Sequence, residues 1–567
     1  MPYVIEPRKC SGCHRCRTEC PVSAIVMRSE KYYIHPDKCV GCGRCAKLCH
    51  NGAISDPARR SVPVRHERML RHCDVCVVGA GGAGLVAAAK AADEGLKVIA
   101  LEKAHEAGGS AWYAGGFITN YSKWHAQLGL PDPRERLFHE FMERTENRVD
   151  PALLRRMFKA NADFLDWLID EHDFGRDYRL ENSPRGYVPE ATYTWENAHK
   201  RIDRMIGPGE IGSYLVEHLL ADFLKKGGEI LYKTEGRQLL CAEDGSVCGL
   251  LAQDEGGEVE IRCRSVVLTT GCFSHNREIM DKMEPLFYDE QDGREPIHIF
   301  AVPTCTGDAI TMGQALGADV DYVNKRVAMF GPMRHPHPCP SLHTAICGSG
   351  ARFGSSGNFL GLDSDFDVVV SPLVFDPKRL CWHVVDRAIV EATVEEEIKK
   401  PAQSRGLDLG KFMLRWREVF AEEEEDGSLV EADTLPALAE KLGFDPDYFV
   451  SCIEKYNRYA ENLAVSGAGV RRLPMPIGQG PFYAIRMKLF HENAIGGLVI
   501  DENAAVLRRG TPIEGLFAAG DTTRGVMVPG NVSIYYIERI FSALTKAYNE
   551  GYIAAEEAVR HARKGLL

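Results

Sequence analysis

No stretch of this 567-residue chain approaches the roughly 18 unbroken apolar residues that a membrane helix requires. The opening segment, MPYVIEPRKC, lacks the apolar core of a secretory signal. Both absences argue against a membrane or an exported destination. What remains is the composition of a globular protein, 45% hydrophobic and 26% charged. Its length calls for several domains. A pool of 19 cysteines suits a reducing interior, so a cytoplasmic location is expected. Eleven of those cysteines follow no usable spacing and read as structural.

The other eight lie within the first 49 residues. They fall as Cys10-x2-Cys13-x2-Cys16-x3-Cys20-Pro21 and Cys39-x2-Cys42-x2-Cys45-x3-Cys49. Short loops of this kind let three thiolates close on three corners of a cubane iron–sulfur cluster, while the fourth cysteine ligates the other cluster. Cys10, Cys13, Cys16 and Cys49 are therefore expected to hold one [4Fe–4S] cluster. Cys39, Cys42, Cys45 and Cys20 are expected to hold a second. Zinc ligands usually come as separated pairs, which this doubled spacing matches poorly. The two runs, KCSGCHRCRTECPVSAI and KCVGCGRCAKLCHNGAI, repeat one another, as a pseudo-twofold fold requires. Residues 1 to about 60 resemble the bacterial two-cluster ferredoxins. Oxygen destroys exposed cubanes, which suits an anaerobic host.

Charge is unevenly spread. Residues 1–60 carry 11 Lys/Arg against 5 Asp/Glu, whereas the whole chain has a net charge of −12. Thiolates and oxidised clusters together remove about 4 charges from the small module, leaving it slightly basic beside an acidic body. That asymmetry suits docking on the body or on an acidic electron donor. The acidic run Glu422–Asp426 reads as a solvated helix end.

A second cofactor signal begins at Cys73, in CDVCVVGAGGAGLVAAAKAADEGLKVIALEK. An apolar strand leads into Gly79-x-Gly81-x-x-Gly84, followed by an Ala-rich helix and a second strand ending at Glu102. The first glycine makes the turn, the second lets backbone approach a pyrophosphate, and the third lets helix and strand pack closely. The helix N-terminus stabilises phosphate charge. Glu102 is placed to bond an adenosine ribose. Cys73 and Cys76 lie within the strand and read as packing. A second G-x-G-x-x-G loop is missing, which leaves a directly bound nicotinamide donor without a site.

Further along come Gly108-Gly109-Ser110, Ala114-Gly115-Gly116, VVLTTGCF at 266–273, Thr306-Gly307-Asp308-Ala309-Ile310, and Gly515-Leu516-Phe517-Ala518-Ala519-Gly520-Asp521. In this order they resemble the fumarate reductase/succinate dehydrogenase flavoprotein family, to which 3-ketosteroid dehydrogenases and urocanate reductase-like enzymes belong. The resemblance covers roughly residues 70–567 and implies FAD. Residues implied to meet it are Gly79, Gly81, Gly84, Glu102, Lys103, Gly109, Ser110, Gly115, Gly116, Thr270, Gly271, Asp308, Gly520, Asp521, Gly530 and Asn531.

The expected fold class is α/β. A Rossmann-type FAD-binding domain carries an inserted α+β capping domain, and a ferredoxin-like two-cluster module precedes it. Expected boundaries are 1–60 for the module, 61–72 for a linker, 73–300 and 490–567 for the FAD-binding domain, and 301–489 for the cap. In the cap, WHVVDRAIVEATVEEEIKK and DYFVSCIEKYNRYAENLAV read as amphipathic helices. CGSGARFGSSGNFLGLDSD reads as loop.

The chain departs from the fumarate reductase pattern at the substrate. The family's Arg-x-Gly-Gly-Asn loop corresponds to Arg524-Gly525-Val526-Met527-Val528-Pro529-Gly530-Asn531, which puts Met527 in the arginine's place. Asn493 stands where the family has a histidine, with His491 two residues earlier. A dicarboxylate needs paired cationic donors, so an apolar or aromatic enone or enoate, or a steroid-like one, fits better. Saturating its C=C bond takes hydride at one carbon and a proton at the other. Arg334, His335, His337, Tyr193, Tyr121 and His491 are the candidates for handling that proton. The reading is an iron–sulfur flavoprotein reductase. Its alternatives are the reverse dehydrogenase and an electron-transfer subunit relaying electrons to a partner. Expected partners are a small-molecule substrate and a low-potential donor such as ferredoxin or flavodoxin, with no nucleic acid and no membrane. A homo-oligomer is left open.

Overall fold

A computed structural model describes the chain apart from residues 1, 8, 11–14, 19, 21, 23, 29–30, 50–51, 57–67, 115–117, 128, 130, 173–177, 183–192, 198–209, 284–297, 300, 331–348, 363–375, 377, 400–402, 405–406, 409–413, 415, 467–474, 529–539 and 565–567. Cys13, Gly115, Gly116, Arg334, His335, His337, Gly530 and Asn531 thus lie outside the described residues.

The cysteine-rich segment folds as two like halves. Strand Val4–Ile5 pairs antiparallel with Ile54–Ser55, and Ile25–Arg28 pairs with Lys31–Ile34. Each half contributes one short helix, Arg15–Thr18 or Arg44–Leu48. The sequence repeat is matched bond for bond. The Glu6 N–H donates to Ala53 O at 2.7 Å, and the His35 N–H donates to Ala24 O at 2.7 Å.

The body is organised by a six-stranded sheet. In spatial order its strands are Glu229–Tyr232, Val98–Glu102, Val75–Val78, Ser265–Leu268, Thr511–Ala518 and Ala505–Arg508. The first five run parallel, and the last is antiparallel to its neighbour. Val75–Val78 is wholly buried, as an apolar strand covered on both faces must be. Helix Gly82–Asp93 covers it, and the C-terminal helix Ala543–Lys564 lies against that helix. The approach is close: a Cβ at Gly551 would meet Ala83 O at 2.5 Å. The parallel strands end together at Gly79, Lys103, Thr269 and Ala519, the edge where α/β sheets bind ligands.

A second sheet of seven strands has its own apolar core. Its axis is the 17-residue strand Phe482–Leu498, which pairs with Val320–Phe330, Leu380–Asp386, Leu429–Ala432 and His298–Ile299. This strand is continuous through residue 490, where the sequence suggested a boundary. The segment expected as one helix from Trp382 divides into strand Leu380–Asp386 and helix Arg387–Lys399. Alternating Val384 and its neighbours pair with Ala351–Gly354, and the Asp386 carboxylate then caps the helix through the Ile389 N–H at 2.9 Å. The span expected as loop forms a hairpin, Ala351–Gly354 with Phe359–Leu362, because Phe353 is drawn into a cluster with Phe359 and Phe449. DYFVSCIEKYNRYAENLAV lies within helix Pro446–Ser466, as its periodicity indicates. The acidic helix end is less solvated than its composition suggests, since Glu423 is buried. Among the described residues no helix is long and apolar enough to cross a membrane.

Candidate functional site

Two cofactor sites follow from this arrangement. In the cysteine module, Cys10, Cys16 and Cys45 are buried, and no described cysteine is in a disulfide. Burial raises the Cys45 thiol above its ordinary value, and Cys39, Cys42 and Cys20 lie close enough to push it further. Three thiols of the second run thus gather with the fourth of the first, the exchange that the ferredoxin spacing implies. Equivalent sulfurs accept equivalent backbone bonds: the Ala24 N–H donates to Cys20 Sγ at 3.3 Å, and the Ala53 N–H to Cys49 Sγ at 3.2 Å. Neighbouring thiols that accept backbone N–H groups are a donor set suited to iron–sulfur clusters.

At the carboxyl edge of the parallel sheet lies an open cleft. Eleven residues named from the sequence line it: Gly79, Gly81, Glu102, Lys103, Gly109, Ser110, Thr270, Gly271, Asp308, Gly520 and Asp521. Gly84 does not. It sits one helical turn in, where a Cβ would lie 1.9 Å from Gly79 O, so its task is contact between helix and strand. At Gly81 a Cβ would meet nothing nearer than Gly108 O at 3.9 Å, so the room there opens on the cleft. Helix Gly82–Asp93 points its N-terminus at this space, with no acidic residue in its first turn to oppose an anion. These features fit the pyrophosphate of a dinucleotide.

Glu102 is buried, and burial raises its carboxyl, while N–H donors pull the other way. It accepts from the Ala80 N–H at 3.0 Å and the Ala104 N–H at 2.8 Å, so it braces the glycine turn as well as facing the cleft. Lys103 Nζ reaches Asp308 at 2.7 Å and Thr306 Oγ1 at 2.5 Å, tying the second strand to helix Asp308–Ala315. The Gly520–Asp521 turn is held from below. The Lys546 ammonium donates to Gly520 O at 2.7 Å and Thr523 Oγ1 at 2.9 Å, and the Glu550 carboxylate accepts from the Gly520 N–H at 2.9 Å. Both side chains are buried.

Sequence reasoning missed this pair, because Lys and Glu four apart on a helix look like a surface pair. It also missed Thr234, Glu235 and Gly236, and the cleft-lining Thr304 and Cys305, none of which carries a motif.

Of the described proton-transfer candidates, Tyr121 and His491 are not among the residues that line the cleft. Tyr193 lies in strand Tyr193–Asn197. His491 is buried behind the cleft wall, its Nε2 2.8 Å from Ser274 Oγ. Tyr121 is partly buried, its ring tilted against that of His125 with 5.5 Å between centroids. Arg524 is engaged by Asp321 at 3.3 Å and Met527 O at 3.0 Å. The apolar side chains of Val526, Met527 and Val528 pack into the main core. The Asn493 amide lies 3.4 Å from Asp521.

Residues 74–532 match the family model described as FAD binding domain, and residues 9–53 match the 4Fe-4S dicluster domain. An NADH:fumarate oxidoreductase of Klebsiella pneumoniae is 28% identical over 80% of this chain, which spans 44% of that enzyme's length. A urocanate reductase of Eggerthella lenta is 26% identical over 82% of this chain and 72% of its own. A vinyl phenol reductase of Lactiplantibacillus plantarum is 26% identical over 80% and 90%. Among solved structures, the open conformation of a flavocytochrome c3 fumarate reductase aligns with a TM-score of 0.62 at 23% identity, covering 87% of this chain and 79% of the other. The 3-ketosteroid delta1-dehydrogenase of Sterolibacterium denitrificans aligns with a TM-score of 0.66 at 17% identity, covering 86% and 100%.

Proposed function

The chain belongs to the FAD-binding flavoenzymes of the fumarate reductase family and carries a 4Fe–4S dicluster module, and from that premise we propose that it reduces an activated C=C bond with electrons received one at a time at the module. Cys10, Cys13, Cys16 and Cys49 would hold one [4Fe–4S] cluster, and Cys39, Cys42, Cys45 and Cys20 the other. Bound FAD supplies hydride chemistry, and the clusters supply single-electron transfer. Gly79, Gly81 and the helix N-terminus behind them would seat its pyrophosphate. Glu102 and Lys103 would border the adenosine half, with Ser110, Thr270, Gly271 and Asp521 along the remaining wall. The observation that carries this reading is the cleft itself, where eleven motif residues from six separate stretches of chain converge at one sheet edge.

For the substrate, we favour an apolar or aromatic enone or enoate, steroid-like ones included, over fumarate. The support is electrostatic. Met527 stands where the family's pattern has its arginine, and the nearby Arg524 is occupied by Asp321 and by main-chain oxygens. Asn493, in place of the histidine, lies against the Asp521 carboxylate. A small diacid would find no paired cation at these positions. The packing of Val526, Met527 and Val528 in the core means that the apolar character of this loop does not add to the case. A relative that acts on vinyl phenols spans nearly its whole length with this chain, which supports the aromatic class.

The test is anaerobic. Holoprotein is reduced with dithionite, then mixed in turn with fumarate, urocanate, aromatic enoates, vinyl phenols and steroid enones while flavin absorbance is followed. Reoxidation by an aromatic or steroid class supports the proposal. Reoxidation by fumarate alone overturns the substrate assignment, and no reoxidation by any member overturns the reductase.

A further inference from the structure

Cys272 and Cys305 lie far apart in the chain and in no shared motif, yet the fold brings them together. The two thiols lie close enough to shift one another's titration, lowering that of Cys272 and, together with burial, raising that of Cys305. The chain just beyond Cys272 is tied to Cys305, since the His275 N–H donates to Cys305 O at 3.0 Å. Gly271 adopts a left-handed φ of 76° beside them, and a Cβ there would sit 3.1 Å from Cys305 Sγ. That turn directs Cys272 back toward its partner.

Three features set this pair apart from ordinary core cysteines. Cys305 forms part of the wall of the FAD cleft, next to Ser110, whose Oγ is 4.0 Å from Cys305 Sγ. Polar groups continue behind it: Cys272 Sγ lies 3.1 Å from Ser274 Oγ, which lies 2.8 Å from His491 Nε2. Both cysteines are otherwise sealed, at 1% and 4% exposure. The one open side of the pair is the cleft wall at Cys305, so the redox partner nearest to it is whatever occupies the cleft.

We propose that Cys272 and Cys305 form a redox-active dithiol that exchanges an electron pair with the bound flavin. In the reductive direction one S–S bond breaks and two S–H bonds form. The two electrons and two protons come from the reduced flavin, which is oxidised. In the other direction the pair closes to a disulfide and returns both electrons and both protons. Ser274 and His491 are positioning residues, placed to hold and relay the proton that leaves Cys272. Such a pair is a second two-electron reservoir between the single-electron entry at the clusters and the chemistry in the cleft.

The test uses complete holoprotein, loaded with FAD and clusters, under anaerobic conditions. One sample is oxidised with ferricenium and another is reduced with dithionite until the flavin bleaches. Both are denatured in acid, alkylated and mapped by peptide mass. The oxidised sample is expected to yield a disulfide-linked peptide containing Cys272 and Cys305, and the reduced sample to carry an alkyl group on each. In a reductive titration the wild type should take up one electron pair more per flavin than Cys305→Ser or Cys272→Ala. Full alkylation of both cysteines in the oxidised sample overturns the proposal, as does a disulfide that persists after the flavin is bleached. None of these readouts requires an alkene, so failure here is distinguishable from failure of the reductase assignment. The wild-type mapping stands even where a variant folds poorly.

Discussion

Single residues carry two expectations that can be checked directly. Gly84→Ala would drive a Cβ to 1.9 Å from Gly79 O, and the glycine turn must give way. A loss of about 1–3 kcal/mol or more is expected, with flavin lost on gel filtration, read from the protein-to-flavin absorbance ratio. His125 is buried and hydrogen bonded through Nδ1 to Ser122 Oγ at 2.9 Å, and desolvation lowers its pKa to about 4. The folded chain therefore refuses a proton that the unfolded chain accepts below about 6.5. Stability should fall as pH drops from about 6.5 toward 4, by about 3 kcal/mol in all. His125→Gln should flatten that part of the urea-midpoint profile against pH. Gly79, Gly81 and Gly84 were legible because their duties are local to one turn. Cys305 and Thr234 were not, because only the fold brings them to the cleft.

At the level of elements, the Gly520–Asp521 turn depends on the C-terminal helix beneath it. Lys546→Met would leave the Glu550 carboxylate buried without its cation, at a cost of about 3–5 kcal/mol. The double variant Lys546→Met/Glu550→Leu should recover part of that loss in thermal melts. Neither residue signalled its burial, because a Lys–Glu pair four apart has the same sequence whether it faces water or a core. Strand Phe482–Leu498 shows the same limit. Its two glycines suggest an interruption, yet the strand runs on through them. Gly497 has a φ of 132° and a Cβ there would meet Thr522 O at 2.1 Å, so close strand approach is what these glycines permit. The parallel sheet was easier to read, since its short apolar runs have few other folds open to them.

For the whole molecule, the question is how electrons enter. Cys20→Ala should cost the cluster expected at Cys39, Cys42 and Cys45 more than the one at Cys10 and Cys16, because Cys20 sits with the former set. Iron content should fall by about half, and donor-driven turnover should fall while the FAD content holds. If a basic module guides an acidic donor, the rate of its reduction by ferredoxin should drop as salt rises through about 0.1 M, where screening acts over about 10 Å. The module itself was the most legible part of the chain, because cluster ligation forces both spacing and repetition into the sequence. Its first and last strands, Val4–Ile5 and Ile54–Ser55, pair with each other. Entry and exit of the polypeptide therefore sit side by side, as in a cassette. A unit closed in this way can be grafted onto a different catalytic body, or traded for another electron-accepting unit, without re-engineering either core.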